Sequence, residues 1–263
     1  MSYETIDLEI LDDGALAVVH LNRPQARNAL DPRLARDFVL CMREIGGREG
    51  LRAAVVTGRG SAFSAGGDLA AFHATDDPRH FLHELAVEYH EGIIGIRRMR
   101  VPFVAAINGA CFGAGLALAC ACDFRIAASD AKLCFGFLGI GLSPDSGLPY
   151  FLPRIVGLGK AVELAMLNPV IDAQEALSIH LVSGVVDPGA LMSEALSLAR
   201  RLAAAPTVAV GRLKRLYDDC YSDGLDAHLA KQLRGVAETA STQDFREGCA
   251  AFLERRKPSF SGR

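Results

Sequence analysis

Tryptophan is absent from the 263 residues, and no apolar run reaches the roughly 18–20 residues that span a bilayer. Residues 101–123 come closest, but Asn108 and several glycines interrupt them, so no membrane partner is expected. Nor is charge of either sign in excess. The net charge is −3, a balance that offers a polyanion such as nucleic acid no basic surface. The start, MSYETIDLEIL, carries acids where a secretory leader has basic residues ahead of an apolar stretch. Zinc-type cysteine pairs are missing: Cys120 and Cys122 stand two apart with no second pair. Seven cysteines, an odd number set mostly in apolar stretches such as LACAC, fit reduced buried thiols better than a disulfide framework. A cytoplasmic location is therefore expected. Nucleotide loops are also lacking, since there is no G-x-x-x-x-G-K-[ST] and Gly109, Gly113 and Gly115 do not fit G-x-G-x-x-G.

What is present is a chain about half hydrophobic, enough for one large core with a helical appendage. The central stretch is VPFVAAINGACFGAGLALACACD. Val101–Ile107 reads as a buried strand, Asn108-Gly109 as a turn, and Gly113-Ala114-Gly115 as the small-residue entry to a helix. Small residues at a helix start let a ligand approach the backbone and leave the first N–H groups unpaired, where the helix dipole favours negative charge. A second small-residue stretch, Ala62–Leu69, also follows a strand. Two such loops meet the need of an anion pocket built from N–H groups of separate segments. They are equally consistent with tight strand–helix connections.

Along the chain, residues 4–11 alternate and Ala15–Leu21 returns, giving a hairpin across Asp12-Asp13-Gly14. Asp31-Pro32 starts a helix to about Ile45. Residues 53–57 are a strand, 58–67 a loop, 79–98 a helix, 124–128 a strand and 133–135 a further short strand. Residues 139–153 are a loop and a short helix that Asp145 or Ser146 is placed to cap. Beyond Gly157 the pattern is helical, at 159–167, 173–179, 189–204, 207–220, 225–240 and 243–256, and no internal repeat is visible.

The segments AFSAGGDL, PFVAAINGACFGAGLALACACDFRIA, LSPDSGLPYFLPRIVG and EGCAAFLERRKPSF together closely resemble the enoyl-CoA hydratase/isomerase (crotonase) superfamily. The resemblance runs nearly end to end from LNRPQARNAL. It implies an α/β fold, a spiral of ββα units over residues 1–200, with a C-terminal helical trimerisation region over 201–263. It further implies a homotrimer or homohexamer, an acyl-CoA thioester as substrate, and no metal or other cofactor. The thioester oxygen is then held by the backbone N–H groups of Gly67 and Ala114, the latter where the family usually has glycine. CoA contacts are implied for Arg23, Ala26, Asn28, Ala65, Gly66, Asp68 and Leu69, and for Phe252 and Arg255, which in some members act from a neighbouring subunit.

The resemblance also bears on the reaction. The two glutamates of the hydratases align with Ala117 and Phe137, and neither a methyl nor a benzyl group activates water. Asp145, in Ser143-Pro144-Asp145-Ser146-Gly147, resembles the proton-shuttling aspartate of the isomerase branch, which includes dienoyl-CoA and epoxyphenylacetyl-CoA isomerases. His90 falls where the 4-chlorobenzoyl-CoA dehalogenases place a histidine, but their ring-holding tryptophan aligns with Phe137. The expected reaction is migration of a C=C bond in an enoyl-CoA, with Asp145 as proton shuttle and Phe137 in the acyl pocket. Two alternatives stand beside it: a hydratase, hydrolase or dehalogenase using His90 and Asp145, and a non-catalytic acyl-CoA-binding protein. His80, His83 and Glu84 read as a solvated helix face.

Overall fold

The computed structural model describes residues 3–263; Met1 and Ser2, part of the acid-bearing start, lie outside the described residues. The predicted hairpin is present as β1 (Ile6–Leu11) and β2 (Leu16–Leu21), antiparallel, with Asp12 and Asp13 at φ 52° and 54° in the turn. Helix α1 (Pro32–Gly46) begins where the Asp-Pro pair places it. The Asp31 carboxylate accepts the Leu34 N–H at 2.9 Å, capping a helix whose first residue has no N–H to leave unpaired.

One unit then recurs three times: a longer strand enters a large sheet, a three-residue strand enters a second sheet, and helix returns the chain. The first unit is β3 (Ala53–Gly58), β4 (Ala62–Ser64), α2 (Leu69–Ala74) and α3 (Pro78–Arg98). The second is β5 (Phe103–Ile107), β6 (Ala110–Phe112) and α4 (Ala114–Ala121). The third is β7 (Phe124–Ala128), β8 (Lys132–Cys134) and α5 (Leu148–Val156). The core is completed by α6 (Leu158–Leu167), β9 (Ile171–Asp172), α7 (Ala173–Ser178), β10 (Gly184–Val186) and α8 (Leu191–Ala203). Strand order is β1-β2-β3-β5-β7-β10 in the large sheet and β4-β6-β8-β9 in the small one. From β2 to β10 the large sheet is parallel, and β3 and β5 are buried on both faces, which is why AAVVTG and FVAAI read as unbroken apolar runs. This is the expected spiral of ββα units.

The repeat is topological, so the sequence shows no periodic copy of itself. Strands β4, β6, β9 and β10 and helix α2 are too short to carry a hydrophobic period, and the expected loop 58–67 contains β4. The strand expected from Val101 starts at Phe103, because Pro102 has no N–H for the ladder and contributes only its carbonyl, which accepts from Ala54 N at 3.0 Å.

The C-terminal part is α9 (Thr207–Asp219), α10 (Leu225–Ala240) and α11 (Gln243–Leu253). The expected division at residue 200 falls inside α8, whose Ala195 and Ala199 are fully buried against the large sheet, so the chain leaves the core only at residues 204–206. Helix α11 stops before the expected residue 256, with Arg255 at φ 53°. Among the described residues no helix is long and apolar enough to cross a membrane.

Candidate active site

Two glycine-bearing loops meet at the start of α4. The loop after β4 holds Gly66 at φ +92°, and the loop after β6 holds Gly113 at φ +50°, ψ −118°, a conformation that a side chain disfavours. The loops touch: a Cβ on Gly113 would lie 3.7 Å from Gly66 Cα, and one on Gly66 only 3.0 Å from the Phe112 carbonyl oxygen. Leu30 N donates to Gly66 O at 2.7 Å and Asp68 N to Leu30 O at 2.9 Å, a lone parallel bridge that passes over the Gly67 N–H. Ala114 is the first residue of α4, so no carbonyl lies one turn behind its N–H. Among the described residues neither the Gly67 N–H nor the Ala114 N–H has a hydrogen-bond acceptor.

Both residues line one cavity of about 210 Å³. Its walls are apolar: Phe72 from α2, Leu82, Leu85 and Ala86 from α3, and Phe137, Ile140 and Leu142 from the loop before α5. Among the described residues that line it, Asp145 is the one ionisable side chain. The cavity therefore brings together the two predicted amides, the predicted acid and Phe137, which packs edge-on to Phe135 with ring centroids 5.8 Å apart. Ala117 is fully buried inside α4 and does not line the cavity.

The capping role open to Asp145 and Ser146 is not what the structure shows. Gly147, at φ 78°, is the N-cap of α5 and no side chain caps it. Instead Ser146 Oγ donates to Asp145 Oδ1 at 2.7 Å and Ser146 N donates to His90 Nε2 at 3.1 Å. His90 does not line the acyl cavity. It meets the acid-bearing loop from behind and faces a separate cleft with Arg97, Tyr150 and Asp218. Its neighbour Tyr89, buried and packed against Phe38, donates its hydroxyl to Ala114 O at 3.3 Å. Burial, and then the nearby Asp145 charge, push the Tyr89 phenol well above its usual range. In sequence Tyr89 stands among the apolar residues of α3, and its hydroxyl is the signal there of a buried hydrogen bond.

Of the CoA-contact candidates, Ala65, Gly66, Asp68 and Leu69 adjoin or line the cavity mouth. The side chains of Arg23 and Asn28 are tied into the protein. The Arg23 guanidinium lies 3.1 Å from both Asp31 and Asp68, joining the first loop to the cap of α2. Asn28 is fully buried, accepting from Arg23 N at 2.8 Å and donating to Ala62 O at 2.8 Å and Arg59 O at 3.0 Å. With its polar atoms engaged this way, the Asn28 side chain shapes the loop rather than meeting a ligand. Ala26 N closes the same loop on Arg23 O at 2.9 Å. Phe252 is not brought to the cavity of its own chain; it is 84% exposed and borders a surface hollow with Pro206 and Phe260, while Arg255 stands exposed just beyond α11. His80, His83 and Glu84 are exposed, and among the described residues no cluster of metal-ligating side chains occurs.

The two-sheet spiral and its apolar cavity, with two free amides in the wall, are those of an α/β enzyme. The chain belongs to the enoyl-CoA hydratase/isomerase family, whose profile matches residues 12–263, and it is an acyl-CoA enzyme of that family with the crotonase fold. It is 37% identical over 263 residues, covering 100% of both chains, to a Rhodobacter capsulatus protein named probable enoyl-CoA hydratase. It is 32% identical to the Escherichia coli 1,2-epoxyphenylacetyl-CoA isomerase over 97% of this chain and 98% of that one. Among solved structures, the enoyl-CoA hydratase of Bacillus anthracis superposes with a TM-score of 0.92 at 28% identity, covering 99% of this chain and 100% of that one.

Proposed function

We propose that the protein moves a C=C bond within an enoyl-CoA. The observation that carries this reading is the cavity's inventory: two unpaired N–H groups and one carboxylate, with Phe137 in the wall where the resemblance implies a hydratase glutamate. The thioester oxygen sits between Gly67 N and Ala114 N. Asp145 takes a proton from the carbon between the thioester carbonyl and the C=C bond, the electron pair spreads into a dienolate whose oxygen the amides hold, and the same carboxyl returns the proton to the far carbon of the dienolate, so that the double bond moves into conjugation with the thioester. The apolar walls favour a lipophilic acyl group. Conversion of a 3-enoyl-CoA to the 2-enoyl-CoA by wild type and by Asp145→Asn tests this: the variant should lose about 10²–10⁴-fold in kcat, and a near wild-type rate rejects the mechanism.

The relatives' names favour a second reading, since the Rhodobacter capsulatus protein is named a hydratase. On that reading, an enoyl-CoA incubated with the wild type gains the mass of one water. Tight CoA binding with no turnover across an acyl-CoA panel supports a binding protein instead.

The proposal extends to assembly. Leu225, Leu229, Leu233 and Val236 recur on one exposed face of α10, which supports residues 201–263 as the trimerisation region of a homotrimer or homohexamer. Phe252 and Arg255 then reach the CoA of a neighbouring copy. Seven free cysteines, five of them buried, support residence in a reducing compartment, the cytoplasm.

A further inference from the structure

The proton transfer proposed above does not use His90, yet His90 is bonded to the loop that carries the proposed base. Ser146 is the link. It is 1% exposed, so neither its N–H nor its hydroxyl reaches water, and each has one strong partner: His90 Nε2 for the N–H and Asp145 Oδ1 for the hydroxyl. Ser146 also sits at φ +54°, left-handed backbone that a serine adopts only when its surroundings hold it there. Leu148 N closes the turn on Asp145 O at 3.0 Å, across Ser146 and Gly147, and the imidazole adds a second tie, on the Ser146 N–H itself.

We propose that His90 is a positioning residue: its Nε2 lone pair holds the Ser146 peptide in the left-handed conformation, and Ser146 in turn holds the Asp145 carboxylate towards the Gly67–Ala114 amides. The inference rests on the proposed role of Asp145. Because Nε2 accepts a backbone N–H, its lone pair is occupied and it offers no route for the proton Asp145 carries. His90 also opens on the far side, into the cleft shared with Arg97 and Asp218, and Ser146 is the wall common to that cleft and the acyl cavity. The arrangement is reinforced from one residue back: Tyr89, at 100° around α3, donates to the first turn of α4, where the Ala114 amide lies. One helix turn thus reaches both halves of the site, and neither residue needs to touch substrate.

The test uses two variants with trans-3-hexenoyl-CoA as probe. His90→Leu removes the acceptor; kcat should fall about 10–100-fold while KM stays within about twofold. His90→Gln restores a carbonyl oxygen at the reach of Nε2, and kcat should return to within about threefold of wild type. A crystal structure of His90→Leu should show Ser146 out of the left-handed region and the Asp145 carboxylate turned. Unchanged kcat in His90→Leu, a loss in His90→Gln as large as in His90→Leu, or an unmoved Ser146 in the crystal overturns the proposal. If His90→Leu does not fold, His90→Gln decides: wild-type kcat supports the brace and a large loss rejects it. Should Asp145→Asn turn over at the wild-type rate, the isomerase mechanism fails and the crystal structure alone decides whether His90 holds Ser146.

Discussion

Lys214 Nζ lies 2.9 Å from Asp123 Oδ2, a buried ion pair that joins α9 to the start of β7. The ammonium also donates to Val101 O at 2.8 Å, and Asp123 is shared with Arg97 at 2.9 Å and with the Phe103 N–H at 2.8 Å. Burial pulls the Lys214 pKa down and the Asp123 charge opposes that pull. Removing one partner of a buried pair leaves an uncompensated charge, at a cost of about 3–5 kcal/mol. Arg97 still faces Asp123 here, so Lys214→Met should lose about 3 kcal/mol, the lower end of that range. Chemical denaturation reads the loss, and limited proteolysis should cut first near residues 204–206.

Alkali should unfold the protein through its thiols. Burial raises Cys41 and Cys122 from 9.0 to about 12 and Cys120 to about 11. Below pH 9 these thiols are neutral in both states and their contribution is fully present. Above it the unfolded chain releases protons that the folded one keeps, so stability falls by about 1.4 kcal/mol per pH unit per thiol until the folded pKa is passed. Urea midpoints measured from pH 8 to pH 11 should drop steadily, and Cys122→Ala should flatten the slope.

Restoring glutamates should have opposite consequences at the two hydratase positions. Ala117 is fully buried outside the cavity, so Ala117→Glu places a carboxylate without a partner in the core and should lower stability by about 3 kcal/mol or more. Phe137 lines the cavity, and Phe137→Glu should fold. Thermal melts of the two variants side by side check the contrast.

Gly67→Ala probes the amide pair without removing an N–H. The added methyl carbon would sit 2.4 Å from Phe72 Cζ, so the ring or the loop must move. The expected outcome is a fall in kcat of about 10²–10³-fold, comparable to losing one oxyanion donor, with the melting temperature little changed. A melt that collapses with the activity would mean the loop, not the donor, was lost.

Much of this was written in the sequence. The helix start at Asp31-Pro32, the apolar strands and the small-residue loops follow from local chemistry, and the quoted motifs led to Gly67, Ala114 and Asp145 lining one cavity. What stayed hidden depends on neighbours distant in the chain. The three-residue strands β4 and β6 exist because β4 pairs with β6 and β6 with β8, not because AFS or ACF favours a strand. Asn28 looks like a loop polar residue until Ala62 and Arg59 close on it. His90 and Ser146 are 56 residues apart, and no local spacing announces that an imidazole on one helix supports a turn before another.

Helix α2 buries none of its own residues, yet Leu69 and Phe72 help wall the cavity, with Leu82, Leu85 and Ala86 of α3 beside them. One part of the cavity wall is peptide groups and a tightly tied turn; the other is side chains on a thin outer layer. Under the proposed reaction, substitutions in that outer layer should change which acyl group is accepted and leave the amides and the carboxylate in place.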